Sequence, residues 1–186
     1  MIRHIPYTLA LLIISGCSNL PKLENANTPQ WQLNGKIGVW FGDEKESAAL
    51  DWQQCNEANG RIRLSGPLGS GAVEITSTDG IVTLIQGGER RTAESAQQLA
   101  AESGWPIPVD ALAYWVRGRA APGIAQQSKI SPAGQLLALQ QQDWLIDFSY
   151  NNAGQLPNRI NATGPNSRVV LLVQQWSSQP EFCSTR

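Results

Sequence analysis

Apolar residues alternate with polar ones along much of this chain, in short segments that end at turn signals. In the clearest segment, residues 31–41, one face carries Trp31, Leu33, Ile37, Val39 and Phe41. A period of two predicts a strand with one buried face. Shorter segments of the same kind occupy 48–52, 62–64 and 73–75, and an apolar run follows at 81–85. Dipeptides such as Asn59-Gly60 and Asp79-Gly80 separate them. Regular short strands with such punctuation predict an antiparallel meander.

Two helices are expected to interrupt the strands. Thr92 is expected to cap a helix over 93–103 that Gly104 ends, and a second helix is expected over 109–117, before Gly118. Residues 118–127 are expected to be irregular, and strands resume at 136–140, 144–150, 158–163 and 168–176. The fold predicted from the residues is mainly β: one strongly curved antiparallel sheet with a few helices against one face.

The N-terminus has the pattern of an export signal. A short basic region precedes an apolar run at 7–14, which is too short to span a bilayer. The next residues, Ile14-Ser15-Gly16-Cys17, resemble the lipobox of bacterial lipoproteins. We therefore expect a signal peptide over 1–16, a lipidated Cys17 with a flexible tether over 17–28, and a single domain over 29–186. Ser18 after the cysteine favours the outer membrane in the lipoproteins that this segment resembles.

The other two cysteines allow one disulfide. With Cys17 committed to lipid, Cys55 and Cys183 remain, and an exported chain can keep a disulfide. Such a bond would tie the carboxyl end to a hairpin turn. Two separate thiols are an equal alternative at this stage.

Composition argues against several functions. Lys and Arg number 14 against 15 Asp and Glu, so no basic excess indicates nucleic acid. His4, the one histidine, lies in the expected signal peptide, which excludes histidine-based triads and zinc sites in the mature chain. There is no P-loop pattern, and no cofactor or metal is expected. Five carboxylates are candidates for a glycosidase-type pair, but no spacing brings two of them together: Asp51, Glu74, Asp110, Asp143 and Asp147.

Tryptophan is abundant, with seven residues in 186. A curved sheet rich in tryptophan, with helices over it, can enclose an apolar binding cavity. The candidate lining residues are Trp40, Trp52, Trp105, Trp115 and Trp144. For any one of them, plain core packing is the competing interpretation.

A leucine is expected at the apex of one hairpin turn. In Gly66-Pro67-Leu68-Gly69, Pro67 suits the second position of a turn, which places Leu68 near the apex. Burying such a side chain elsewhere gains about 1.5–3 kcal/mol, and a lipid interface is one such place. A leucine that folds back onto the sheet or simply stays exposed is the alternative.

Several segments together resemble the LolB family of outer-membrane lipoprotein receptors. They run in order through most of the mature chain: 31–36 (WQLNGK), 52–54 (WQQ), 63–69 (RLSGPLG), 104–108 (GWPIP), 114–118 (YWVRG), 156–160 (LPNRI) and 169–176. The Pro-Leu-Gly turn and the Trp-Pro-Ile-Pro segment, in this order and after a lipobox, are the most specific. Cys55 and Cys183 are not part of the family pattern.

The resemblance implies both a fold and a function. The fold is an open, incomplete antiparallel β-barrel with helices covering the mouth of an apolar cavity. The function is to accept lipoproteins from the periplasmic carrier LolA by binding their acyl chains, and to insert them into the outer membrane without nucleotide hydrolysis. The resemblance further implies a monomer that contacts membrane lipid through Leu68.

Two other classes of function remain open from the sequence. One is a structural or envelope-assembly lipoprotein that binds protein or glycan surfaces, and the other is a carboxylate-based hydrolase. Acyl chains or lipopeptide that co-purify with the chain would favour the receptor over both.

Overall fold

The computed structural model describes residues 30–67, 71–105, 107–151 and 156–184. Strands dominate this part of the chain. The first six are β1 (Trp31–Phe41), β2 (Glu44–Gln54), β3 (Gly60–Ser65), β4 (Val73–Thr78), β5 (Ile81–Gln86) and β6 (Glu89–Ala93). The remaining five are β7 (Gln126–Ile130), β8 (Leu136–Gln141), β9 (Trp144–Ser149), β10 (Arg159–Thr163) and β11 (Ser167–Ser177).

All these strands belong to one antiparallel sheet with the order β6-β5-β4-β3-β2-β1-β11-β10-β9-β8-β7. The sheet is two meanders, β1–β6 and β7–β11, joined where the first strand pairs with the last. Its edges are β6 and β7, which do not pair with each other, so the barrel is open. The prediction of an open antiparallel barrel from the sequence is confirmed.

A bulge bends the central pair of strands. The register of β1 against β11 shifts between Asn34 and Gly35. Gly35 is buried there, and a Cβ on it would collide with the backbone carbonyl of Leu172. A bulge increases local twist and bends its strand, so the centre of the sheet curves around the space that its inward side chains occupy.

Two short helices connect the edges of the sheet across its concave face. Helix α1 (Ala96–Glu102) begins at Ser95, whose Oγ accepts a hydrogen bond of 3.0 Å from the backbone N–H of Gln98. Helix α2 spans Val109–Trp115. A four-residue helix, α3 (Glu181–Ser184), ends the described chain. No helix in these described ranges has the length and apolar character needed to cross a membrane.

The sequence placed the start of α1 too early. Thr92 and Ala93 lie in β6, and the cap is Ser95 rather than Thr92. Ala93 points inward from β6 and is 8% exposed, so pairing with β5 retains it in the sheet. Both edge strands, β6 and β7, were missed.

The interior is packed in two groups of side chains. The larger fills the barrel between β1, β2, β8–β11 and α2, and includes the fully buried Leu33, Trp115 and Ile146. The smaller group lies between β4, β5, β6 and α1. A cavity separates part of the sheet from the helices.

Candidate functional site

The concave face of the sheet and the two connecting helices enclose an apolar cavity of about 450 Å³. This volume lies within the usual range for small-ligand sites, about 300–1,000 Å³. Strands β2–β5 form one wall, α1 and α2 the opposite wall, and β11 contributes at the side. The main aliphatic lining residues are Leu50, Ile62, Leu64, Ile75, Leu84, Leu99, Leu112, Val116 and Leu171.

Strand alternation places these residues in the cavity. Ile62 pairs with Ile75, which pairs with Leu84, so inward positions of three neighbouring strands form one apolar row. On the helix side, Leu112 and Val116 are four residues apart and share a face. The apolar row of the sheet and the apolar face of α2 therefore line opposite walls of the cavity.

Two of the five candidate tryptophans line the cavity, Trp52 and Trp105. Trp52 also belongs to an aromatic cluster at the end of the barrel, because its ring centroid lies 5.2 Å from that of Trp31. Its indole nitrogen donates a hydrogen bond of 3.0 Å to the side-chain oxygen of Gln54. Trp105 follows α1 and is half-buried.

Trp115 and Trp144 do not line this cavity, which corrects the sequence expectation for both. Their rings pack 5.9 Å apart in the larger core. Trp115 is 1% exposed, and Trp144 packs so closely on Gly164 that a Cβ there would lie 2.7 Å from the ring. They fill the part of the barrel under β8–β10 and leave the space under β2–β5 open.

Trp40 lies on the opposite, convex face of the sheet, so its assignment to the cavity was also wrong. Its neighbours on β1, Val39 and Phe41, point inward, and alternation directs Trp40 outward. The ring lies over Gly38, where a Cβ would come within 2.8 Å of it.

Polar side chains mark the solvent-facing border of the cavity. Glu46, Gln86, Arg91 and Glu102 contribute to the lining and are all exposed. Ser103, also in the lining, has a buried hydroxyl with no hydrogen-bond partner among the described residues. The cavity is thus apolar inside, with hydrogen-bonding groups where it meets solvent.

The carboxylates considered for catalysis are absent from the cavity lining. Glu74 instead receives a 2.6 Å ion pair from Arg63, which stands beside Asp51 in the register of β2 and β3. In the described ranges, no three His, Cys, Asp or Glu side chains come together as a metal site.

Burial lowers the pKa of Arg117, with a smaller contribution from Arg119.

Cys55 and Cys183 form a disulfide, with Cα atoms 5.4 Å apart. The bond fastens α3 to the β2–β3 hairpin. There the backbone N–H of Phe182 donates to Gln53 Oε1 at 3.0 Å, and Arg61 lies 5.0 Å over the Phe182 ring. This attachment is on the convex side of the sheet, away from the cavity.

Two further predicted residues, Cys17 and Leu68, lie outside the described residues. The aliphatic lining residues, in contrast, were not predicted, because the prediction rested on the abundance of tryptophan. The available signal was the alternation of β2–β5, which already placed Leu50, Ile62, Leu64 and Ile75 on one face.

Comparison with known proteins gives a family. The family model described as outer membrane lipoprotein LolB matches residues 29–176. The outer-membrane lipoprotein LolB of Cellvibrio japonicus is 38% identical over 156 residues, or 78% of this chain and 76% of that protein. That of Pseudomonas aeruginosa is 33% identical over 189 residues, or 90% and 92% of the two chains.

Solved structures with the same fold are much more distant in sequence. A LolA superfamily protein from Nitrosomonas europaea aligns with a TM-score of 0.53 at 10% identity, over 82% of this chain and 87% of that one. A DUF1329 family protein from Desulfovibrio piger also gives 0.53, at 8% identity, over 84% and 89%. These two likenesses concern the fold alone. The family model and the curated relatives confirm the resemblance found in the sequence: this chain belongs to the outer-membrane lipoprotein LolB family.

Proposed function

We propose that this chain is an outer-membrane receptor that accepts lipoproteins from the periplasmic carrier LolA and inserts them into the outer membrane. Acyl chains of the cargo occupy the cavity, and no nucleotide is hydrolysed. The observation that carries the proposal is the enclosed apolar space between β2–β5 and the helices α1 and α2.

Acyl chains offer almost nothing to hydrogen-bond, so their recognition depends on buried apolar area. Each buried methylene contributes about 0.8 kcal/mol. Ten methylenes in the cavity would therefore contribute about 8 kcal/mol before the costs of ordering. Smooth aliphatic walls such as Ile62, Ile75 and Leu84 suit this purpose, because they accept chains of varied length without a fixed register.

The polar border suits the head of an acylated cysteine. That head carries ester and amide carbonyls, which accept hydrogen bonds. Ser103 and Arg91 are donors in the lining, and the Ser103 hydroxyl is buried without a partner among the described residues. A buried donor without a partner costs about 1–3 kcal/mol, so a carbonyl placed there would stabilise the loaded state.

The two helices differ in how firmly they are held. Helix α2 carries Trp115, whose indole N–H is bonded to the buried side chain of Gln141 on β8. Helix α1 packs through Ala96 and Leu99 against the smaller core, and Gln97 donates to the Ile107 carbonyl at 3.2 Å. We infer that α1 moves to admit the acyl chains while α2 stays in place.

Transfer without nucleotide must run downhill in free energy. The carrier then holds the acyl chains least tightly, this cavity more tightly, and the bilayer most tightly. Leu68, which lies between β3 and β4 in the sequence, enters the lipid interface in this proposal and connects the loaded cavity to the membrane. Lipid on Cys17 keeps the domain at the outer membrane, facing the periplasm, as a monomer.

The test is direct transfer. LolA loaded with a radiolabelled lipoprotein is mixed with the mature chain in its unlipidated Cys17→Ala form, and the two are separated by an affinity tag. We expect the label to move to this chain without added ATP. Label that stays on the carrier, while the chain instead co-sediments with peptidoglycan or envelope proteins, would reject the receptor and favour a structural lipoprotein.

A further inference from the structure

The convex face of the sheet carries a patch that the cavity does not explain. Two apolar side chains there are each flanked by two cations from the neighbouring strands. Trp40 pairs in register with Lys45 on β2 and Arg168 on β11. Leu172 on β11 pairs with Lys36 on β1 and with Arg159 on β10. We name these six residues the Trp40 patch: Lys36, Trp40, Lys45, Arg159, Arg168 and Leu172.

The two triplets lie on one continuous surface. Residues 36 and 40 on β1, like residues 168 and 172 on β11, have the same parity and so share a face. The triplets are four residues apart, about 13 Å along the strands. All four cations are exposed, and Leu172 is 40% exposed, one of the few large apolar side chains of the described chain to be so open to solvent.

The charge of this face has one sign at its centre. Every charged residue at an outward position on β1, β10 and β11 is basic: Lys36, Arg159 and Arg168. The whole chain, in contrast, has a slight acidic excess. The nearest outward acids in the register are Asp147 on β9, beside Asn161, and Asp51 on β2, beside Asn34. The four exposed cations around two apolar side chains therefore form a local excess of positive charge, which the composition of the whole chain does not explain.

The contacts within the patch leave its cations available. The Lys45 ammonium lies 5.2 Å from the centroid of the Trp40 ring, and the Arg168 guanidinium lies 5.4 Å from it. Arg168 also donates through Nε to Asn161 Oδ1 at 2.8 Å, a neutral partner. None of the four cations forms an ion pair within the described part of the chain.

We propose that the Trp40 patch rests on the surface of a membrane that contains anionic phospholipid. Tryptophan is enriched at the membrane–water interface, and basic residues near an anionic leaflet are attracted to it. The convex face then lies on the headgroups, and the helices on the concave face point away from them, where a loaded carrier can approach. The patch is then a lipid-contacting surface in addition to the cavity. This inference rests on the proposed function only in that the protein acts at the outer membrane.

The test is flotation of the unlipidated Cys17→Ala chain with vesicles. The vesicles contain phosphatidylethanolamine with phosphatidylglycerol as the anionic lipid, or phosphatidylcholine alone. We expect binding to the anionic vesicles that decreases with salt and is weak on phosphatidylcholine. The double variant Lys45→Gln/Arg168→Gln should lower the partition coefficient about tenfold or more, and Trp40→Gln should lower it further.

The matched control is Arg90→Gln/Lys129→Gln, which removes the same charge from the two edge strands. Equal loss in the control, unchanged binding in the patch variants, or equal binding to both vesicle types would each overturn the proposal. Cargo acceptance from LolA in solution is measured in parallel. Patch variants that bind vesicles normally but accept less cargo would assign the face to a protein partner. Failure of acceptance in every form, with patch-dependent vesicle binding intact, would reject the proposed receptor function alone.

Discussion

The indole N–H of Trp115 donates a hydrogen bond of 2.9 Å to the side-chain oxygen of Gln141, and both side chains are 1% exposed. The same oxygen accepts from the backbone N–H of Ala121 at 2.8 Å. The Gln141 amide nitrogen donates to the carbonyl of Ala121 at 2.9 Å. One buried glutamine on β8 thus joins helix α2 to the loop that leads into β7.

Replacement of Gln141 by leucine should be strongly destabilising. The change leaves the Trp115 N–H and both backbone groups of Ala121 buried without partners, and each costs about 1–3 kcal/mol. We expect the free energy of unfolding to fall by at least about 3 kcal/mol in urea titrations. Gln140→Leu, at the exposed adjacent position, should change it by less than about 0.5 kcal/mol. Similar values for the two variants would contradict this role.

A polar side chain inside the cavity should weaken cargo binding. Ile75 lines the cavity and Thr76, the next residue, points to the other face. Ile75→Gln removes apolar contact and introduces an amide that the acyl chain cannot satisfy, at a cost of about 1–3 kcal/mol. We expect cargo acceptance from LolA to weaken about tenfold. Thr76→Gln should leave it unchanged, and equal effects would place the binding site elsewhere.

The disulfide should contribute to stability and leave the cavity function intact. The double variant Cys55→Ser/Cys183→Ser should lower the free energy of unfolding by about 2–4 kcal/mol. Reductant should destabilise the wild type in thermal scans and have no effect on the double variant. Because the bond lies on the convex side, cargo acceptance at a temperature where both forms are folded should be the same. A large loss of acceptance would refute that separation.

A charge at Leu68 should block insertion and preserve acceptance. Leu68→Glu places a carboxylate where the proposal requires contact with hydrocarbon, and a charged side chain there is costly. We expect the loaded variant to retain its cargo in the presence of vesicles. Ala133→Glu, in the β7–β8 turn, serves as the control and should release cargo normally. Normal insertion by the Leu68 variant would eliminate this residue as the membrane contact.

Stability should decrease at high pH through Tyr150. Burial raises the pKa of its phenol above the ordinary value of 10.0. The unfolded chain therefore loses its proton first, and stability falls as the pH rises through 10 towards the folded pKa. Urea titrations across this range should show the fall in the wild type and a smaller one in Tyr150→Phe. An equal fall in Tyr150→Phe would contradict this role of the phenol.

The strands with an apolar face could be predicted, whereas the edges could not. β1 and β9 alternate clearly, because one face of each is buried against the core. β6 and β7 read ERRTA and QQSKI, and every residue of β7 is exposed, so their strand form comes from pairing with a neighbour. No pattern in such segments distinguishes them from a loop.

Three of the five tryptophan assignments were wrong, for two different reasons. The alternation of β1 already directed Trp40 outward, but the prediction assigned tryptophans to the cavity by residue type and did not apply this alternation. For Trp115 and Trp144 the sequence held no such signal. They lie under the β8–β10 half of the sheet, and that position depends on β1 pairing with β11. A long-range pairing of this kind follows from the whole fold and not from local periodicity.

The position of Trp40 on β1 also determines how the domain can lie on a membrane. β1 begins at Trp31, and Trp40 lies nine residues further, about 30 Å along the strand. With lipid on Cys17, the thirteen residues from Ser18 to Gln30 reach at most about 43–47 Å. The anchor and Trp40 can therefore touch one bilayer together. When the convex face rests on the headgroups, β1 runs along the bilayer and both of its ends are at the surface, so the tether length instead lets the domain lift off the headgroups while the anchor stays in the bilayer.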